Sequence, residues 1–204
     1  MTIRTALFGL ALLALASEAG AQQAPLAPPG PGRWDVTGQL ALLNRNKADL
    51  GLPWDHWYAA PVIQGAAGRY WTPHFKTEIE VATAGLGRIE DWTSLRPRHH
   101  TLRETTAGAT AIYQFFDNQW VHPFVGAGVE LARERHHADA LPAIRPLEAL
   151  PAIDRTSYSV RPVVSGGFKF YVNERAFVRT EVRTAFSTER PLAIEWRGGV
   201  GFDF

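Results

Sequence analysis

Residues 194–204 alternate between apolar and polar without a break and stop on an aromatic. Ile194, Trp196, Gly198, Val200, Phe202 and Phe204 fall on one face, and Glu195, Arg197, Gly199, Gly201 and Asp203 on the other, which is the period of a β-strand. A strand of about 10 residues with one aromatic and one charged face suits a stave of a transmembrane barrel, with lipid outside and a polar lumen within. The same alternation fits a soluble lipocalin-type barrel if the faces exchange roles and the apolar side lines a ligand cavity.

The other end of the chain bears on the compartment. Arg4 precedes an apolar run from Ala6 to Ala16, and Ala19-Gly20-Ala21 forms a small-residue cleavage site. The run is too short to span a bilayer, and residues 1–21 are therefore expected to be a secretory signal peptide. Residues 22–32, with Pro25, Pro28, Pro29 and Pro31, read as an extended periplasmic tether, because repeated proline suits neither helix nor central strand. Residues 33–204 are of a size for one domain. The chain has no cysteine, so neither a disulfide framework nor an acylated lipoprotein cysteine is available. A formal net charge of +1 argues against nucleic acid as a partner. No apolar run approaches about 20 residues, so only strands remain to cross a membrane.

Eight strands are expected, over 33–43, 59–71, 76–87, 100–116, 120–135, 157–171, 176–187 and 193–204. The connections after the second, fourth and sixth are short, at 72–75, 117–119 and 172–175. Those after the first, third and fifth are long, at 44–58, 88–99 and 136–156, with a shorter one at 188–192. Tight turns alternating with long loops are the pattern of an outer-membrane barrel, whose turns face the periplasm and whose loops face outward. Aromatics agree with two interfacial belts: Trp34, Trp71, Phe75, Phe116, Trp120, Tyr171 and Phe204 near the turn ends, and Trp57, Tyr58, Trp92 and Tyr158 near the loop ends. The sequence thus predicts an all-β, eight-stranded, antiparallel up-and-down transmembrane barrel in the outer membrane.

Eight strands leave an interior just wide enough for side chains to fill. Charges on the lumen face should then pair into a plug, and the candidates are Glu78, Glu80, Glu130, Arg161, Lys169, Arg179, Glu181, Arg183, Glu195 and Arg197. The strand glycines Gly126, Gly128, Gly166, Gly167, Gly198, Gly199 and Gly201 are expected to make room for those long side chains. Strands two and four, rich in Ala, Gly and Thr, do not disclose which face is which.

The segments 122–129 (HPFVGAGV), 166–173 (GGFKFYVN) and 199–204 (GVGFDF) resemble the OmpX/OmpA-type small outer-membrane β-barrel superfamily over essentially the whole mature chain. The resemblance implies a scaffold that hosts many functions. It also implies that Phe204, Phe202 and Val200 form the C-terminal signal read by the barrel assembly machinery. The peptidoglycan-binding C-terminal domain of the OmpA pattern is not expected after strand eight. Among eight-stranded barrels, lipid A deacylases carry a His and a Ser two apart on a lipid-facing strand. The corresponding stretch here keeps Ser187 but has Ala185 where the base would stand, leaving the hydroxyl without an activating neighbour.

Two histidine pairs remain, His99-His100 and His136-His137. Antiparallel pairing through the turn at 117–119 is expected to set His99 opposite His137 and His100 opposite His136. Four imidazoles at one rim either bind Zn²⁺ or Cu²⁺ or stand as solvated loop residues. Loop 136–156, with Leu141, Pro142, Ile144, Pro146, Leu147, Leu150, Pro151 and Ile153, is apolar enough to fold over the mouth as a lid or to meet a partner.

Together these features predict a monomeric, non-enzymatic outer-membrane barrel, without a cofactor, serving envelope integrity or surface interaction through its loops. Its expected partners are outer-membrane lipid and lipopolysaccharide and the assembly machinery. A lipid A-modifying enzyme and a narrow channel for small solutes are the alternatives.

Overall fold

The computed structural model describes residues 33–46, 57–91, 98–116, 120–143, 149–186 and 191–204. The expected signal peptide (1–21), the tether (22–32), Trp92 and Ser187 lie outside these residues. Eight strands follow in chain order: β1 (Trp34–Asn46), β2 (Trp57–Tyr70), β3 (Phe75–Asp91), β4 (Arg98–Gln114), β5 (Val121–Ala138), β6 (Ile153–Tyr171), β7 (Ala176–Phe186) and β8 (Pro191–Asp203). Each pairs antiparallel with its neighbour, and β8 returns to β1 to close the barrel. Closure gives every strand a neighbour on both sides, the arrangement that lets strands cross a hydrocarbon layer. The seam is completed beyond the ladder itself, where Trp34 and Phe204 exchange N–H···O bonds of 3.0 and 2.9 Å.

The period-two pattern holds along the strands. In β5, His122, Phe124, Glu130 and Ala132 are buried, while Val125, Ala127, Val129 and Leu131 are exposed. The exposed residues are the apolar ones and the buried ones include the charges, the inverse of a water-soluble protein. Val160 is 72 % exposed and Ile63 is 65 %, whereas Lys169 and Lys76 are 1 % and 2 %. A soluble carrier would bury the first pair and expose the second, so the lipocalin-like alternative does not fit this polarity.

The strands reach further than their sequence limits at the long-loop end. β5 and β6 have 18 and 19 residues and pair continuously from Val121↔Phe170 to Ala138↔Ile153. The same register continues past them, with Leu141 and Leu150 joined by two backbone hydrogen bonds of 2.9 Å. The described part of loop 136–156 is therefore a standing extension of the β5–β6 hairpin, not a lid laid over the mouth. Hairpin pairing satisfies its backbone in water, which a collapsed apolar loop would not.

The turn-end belt is largely as expected. Trp34, Trp71, Phe75, Phe116, Trp120 and Phe204 are exposed, and the Arg69 guanidinium lies 5.4 Å from the Trp34 ring and 4.5 Å from that of Trp71. Tyr171 departs from the belt: it turns into the lumen and donates a 2.5 Å hydrogen bond to Asp203. Its odd number gives it the parity of Lys169, so the pleat fixes this orientation.

Candidate functional site: the charged lumen

All ten candidate plug residues are buried inside the barrel. They sort into tiers along the axis. At mid-height, Arg179 reaches Glu78 at 2.6 Å and Glu181 at 2.9 Å. Arg183 pairs with both Glu80 and Glu130, the second at 2.9 Å, and Arg197 spans Glu80 at 3.1 Å and Glu195 at 2.6 Å. Gln64 donates to the same Glu80 carboxylate at 2.9 Å. Each arginine thus engages carboxylates on different strands, so the network ties β2, β3, β5, β7 and β8 across the lumen.

Nearer the long-loop end, Arg161 contacts Glu104 at 2.8 Å and also pairs with Glu134, while Glu130 lies 3.6 Å away. Arg45 binds the same Glu104 and reaches Glu134 at 2.6 Å. Beside this tier the wall is apolar and small, built from Leu43, Val62, Ala82 and Ala84 with Ala185 and Ala193. A cavity of about 10 Å³ lies there, bounded by Leu43, Val62, Glu104 and Glu195 among others, room for roughly one water.

At the turn end, Lys169 donates to Asp203 at 2.9 Å, to the Tyr70 hydroxyl at 2.9 Å and to Asp35 at 3.3 Å. Its ammonium also sits 3.6 Å from the centroid of the Phe177 ring. Lys76 bridges Asp35 and Glu78, each at 2.7 Å, joining this tier to the one above. Asp35 belongs to β1 and Asp203 to β8, so Lys169 fastens the closing seam from inside.

Sequence reasoning omitted several members of the network: Asp35, Arg45, Lys76, Glu104, Glu134 and Asp203. Lys76 and Asp203 share parity with plug residues of their own strands and were readable by alternation. Arg45 falls beyond the expected end of β1. Glu104 sits on β4, whose Ala- and Thr-rich faces carry no polarity signal; only the register against β5 places it inside.

The glycines are more specific than a general relief of crowding. A Cβ on Gly201 would stand 2.2 Å from the Phe177 ring, and one on Gly68 would stand 2.2 Å from Asp35. Gly198 has open space around it, and Gly128, Gly167 and Gly199 face neighbouring backbone at 2.0–2.1 Å. Close strand approach, not room for charges, accounts for those three.

The histidine quartet does not form as expected. The β4–β5 register sets Leu102 opposite His136, Thr101 opposite His137 and His100 opposite Ala138. His100 and His136 turn inward and meet, Nδ1 to Nε2 at 2.9 Å with their rings stacked at 5.2 Å. His99 and His137 share the opposite, outer parity, and His137 lies 3.5 Å from Asp139. The pleat forbids adjacent residues from pointing the same way, so the four imidazoles divide two and two. Among the described residues no group of three or more His, Cys, Asp or Glu converges as a metal site.

The geometry matches known structures. The N-terminal barrel domain of Pseudomonas aeruginosa OprF superposes with a TM-score of 0.53 at 16% identity, covering 86% of this chain and 100% of that one. The attachment invasion locus protein Ail of Yersinia pestis gives 0.55 at 9% identity (85% and 99% covered), and the outer membrane protein OprG of P. aeruginosa gives 0.58 at 10% (86% and 97%). The fold is that of the small outer-membrane β-barrels. With its apolar exterior and charged interior, this outer-membrane barrel crosses the bilayer on eight strands. No protein-family model matches the chain, and no curated protein matches it by sequence.

Proposed function

We propose that this barrel is a non-enzymatic, monomeric scaffold of the outer membrane that acts through what it presents outside, in envelope integrity or surface interaction. The observation that carries the reading is the lumen itself: cross-strand ion pairs occupy it from the Asp35–Lys169 tier to the Arg45–Glu104 tier, which supports a filled interior over a conducting one. Among the described residues, the β5–β6 hairpin, paired as far as Leu141 and Leu150, and the β3–β4 pair, carried to Asp91↔Arg98, project on the long-loop side.

The packing of β7 supports the non-enzymatic reading. Ala185, at the position where a lipid A deacylase would carry its base, points into the lumen and is 5 % exposed, away from any lipid acyl chain. Val200, Phe202 and Phe204 line the lipid side of β8 at 56, 43 and 61 % exposure, a placement that supports their reading as the assembly signal. Planar-bilayer recording of the refolded barrel, with a lipid A mass profile of a strain lacking it, tests the proposal. Expected are no stable conductance steps and an unaltered lipid A pattern; steady unitary currents or a lost acyl chain would overturn it.

A further inference from the structure

Above the apolar band, the outward face of β4 and β5 carries three guanidiniums together. Arg103 of β4 lies directly opposite Arg135 of β5, and Arg133 is the next outward residue on the same strand. All three are exposed. Like charges set directly opposite on one sheet face destabilise the pair. One carboxylate relieves them, Asp154 at 3.3 Å from Arg135; no described carboxylate pairs with Arg103 or Arg133. The barrel pairs its interior charges across several tiers, so a patch of three guanidiniums with one carboxylate partner among the described residues is a local exception.

Its height is informative. The outward residues of β5 are apolar from Val121 to Leu131, a climb of about 25 Å at ~3.3 Å per residue and a tilt of about 40°, which is the height of the hydrocarbon band. Arg133 is one outward step beyond Leu131, opposite Tyr158, an exposed aromatic at the position expected of an interfacial anchor. The guanidiniums therefore stand at headgroup level on the long-loop side, where lipid phosphates lie. Arginine binds phosphate with two parallel N–H···O bonds, and a phosphate between Arg103 and Arg135 would convert their repulsion into a bridge.

We propose that Arg103, Arg133 and Arg135 form a binding site for the phosphate groups of outer-leaflet lipopolysaccharide, on the lipid-facing wall of the barrel and not on its loops. The inference rests on the long loops marking the extracellular side. Opposite it, at the turn end, Arg69 is held against Trp34 and Trp71 and supplies a charge-matched control.

The test uses the refolded full chain in detergent micelles titrated with bisphosphorylated lipid A, with dephosphorylated lipid A and phosphatidylglycerol in parallel. Heat-modifiable migration of every variant separately establishes that the barrel has formed. Arg103→Gln/Arg133→Gln should bind bisphosphorylated lipid A at least tenfold more weakly than wild type, Arg69→Gln should bind like wild type, and Arg103→Lys should lose less than Arg103→Gln. Removing the phosphates should abolish the difference between variants. Equal binding by the double variant and wild type, an equal loss in Arg69→Gln, or equal affinity for phosphatidylglycerol would each overturn the assignment.

Discussion

Glu80 is the carboxylate on which the mid-lumen network converges. It pairs with Arg183, lies 3.1 Å from Arg197 and accepts from Gln64 at 2.9 Å, and the residue is 4 % exposed. Replacing it by alanine removes the shared anion of two buried guanidiniums. Breaking a buried ion pair by deleting one partner costs about 3–5 kcal/mol, because the remaining charge stays desolvated. Here each arginine keeps another carboxylate, Glu130 at 2.9 Å for Arg183 and Glu195 at 2.6 Å for Arg197, so the lower end of that range applies. With a urea dependence of about 2 kcal/mol/M, a loss of ~3 kcal/mol moves the unfolding midpoint down by roughly 1.5 M. Tryptophan fluorescence of the barrel unfolding from lipid vesicles reads that shift. Glu80→Gln, which keeps the volume and an acceptor, should recover part of it. A midpoint for Glu80→Ala that coincides with wild type would refute the reasoning, since it would mean that water already solvates these charges.

Glu181→Ala should cost less than Glu80→Ala, because Arg179 retains Glu78 at 2.6 Å and only one arginine loses a direct partner; the same urea titration ranks the two. Gly201→Ala drives a methyl to 2.2 Å from the buried Phe177 ring and should destabilise by about 1–3 kcal/mol, seen as a lower midpoint with an unchanged slope. Deleting Phe204 should reduce heat-modifiable barrel in the outer membrane and increase periplasmic degradation; normal levels would dismiss the terminal aromatic as an assembly signal. Because the histidines divide two and two across the β4–β5 wall, calorimetric Zn²⁺ titration should give the same result for wild type and for His100→Ala/His136→Ala.

The architecture was legible because its signals are local. Alternation in β3, β5, β6, β7 and β8 identified both faces, and the contrast between connections such as 172–175 and 136–156 oriented the barrel. Register was harder, since it depends on where each turn closes: a displacement of two residues across β4 and β5 moved His136 from His100 to Leu102. A shift of two preserves parity, so every lumen assignment survived it while the pairwise assignment did not. The lumen network was half visible for a related reason. Charges on strands with an apolar opposite face announce themselves, as Arg179 and Glu181 do. Glu104 is flanked by threonines and alanines that suit either side, and Arg45 lay past a strand end that the chain extends outside the membrane. The Arg103–Arg133–Arg135 patch needed register as well, because two of its members come from one strand and the third from its neighbour.

The central claim is the polarity of the wall: apolar residues to lipid, charges to a closed interior. The absence of cysteine makes every single-cysteine variant uniquely labelable. Nitroxide labels placed one at a time along 124–131 of β5, in the refolded barrel in lipid vesicles, report oxygen and aqueous nickel-complex accessibility at each position. The account predicts high oxygen accessibility at Val125, Ala127, Val129 and Leu131, and low accessibility to both reagents at Phe124, Gly126 and Glu130. Nickel access at the odd positions, or at Glu130 through an open water-filled lumen, would contradict it.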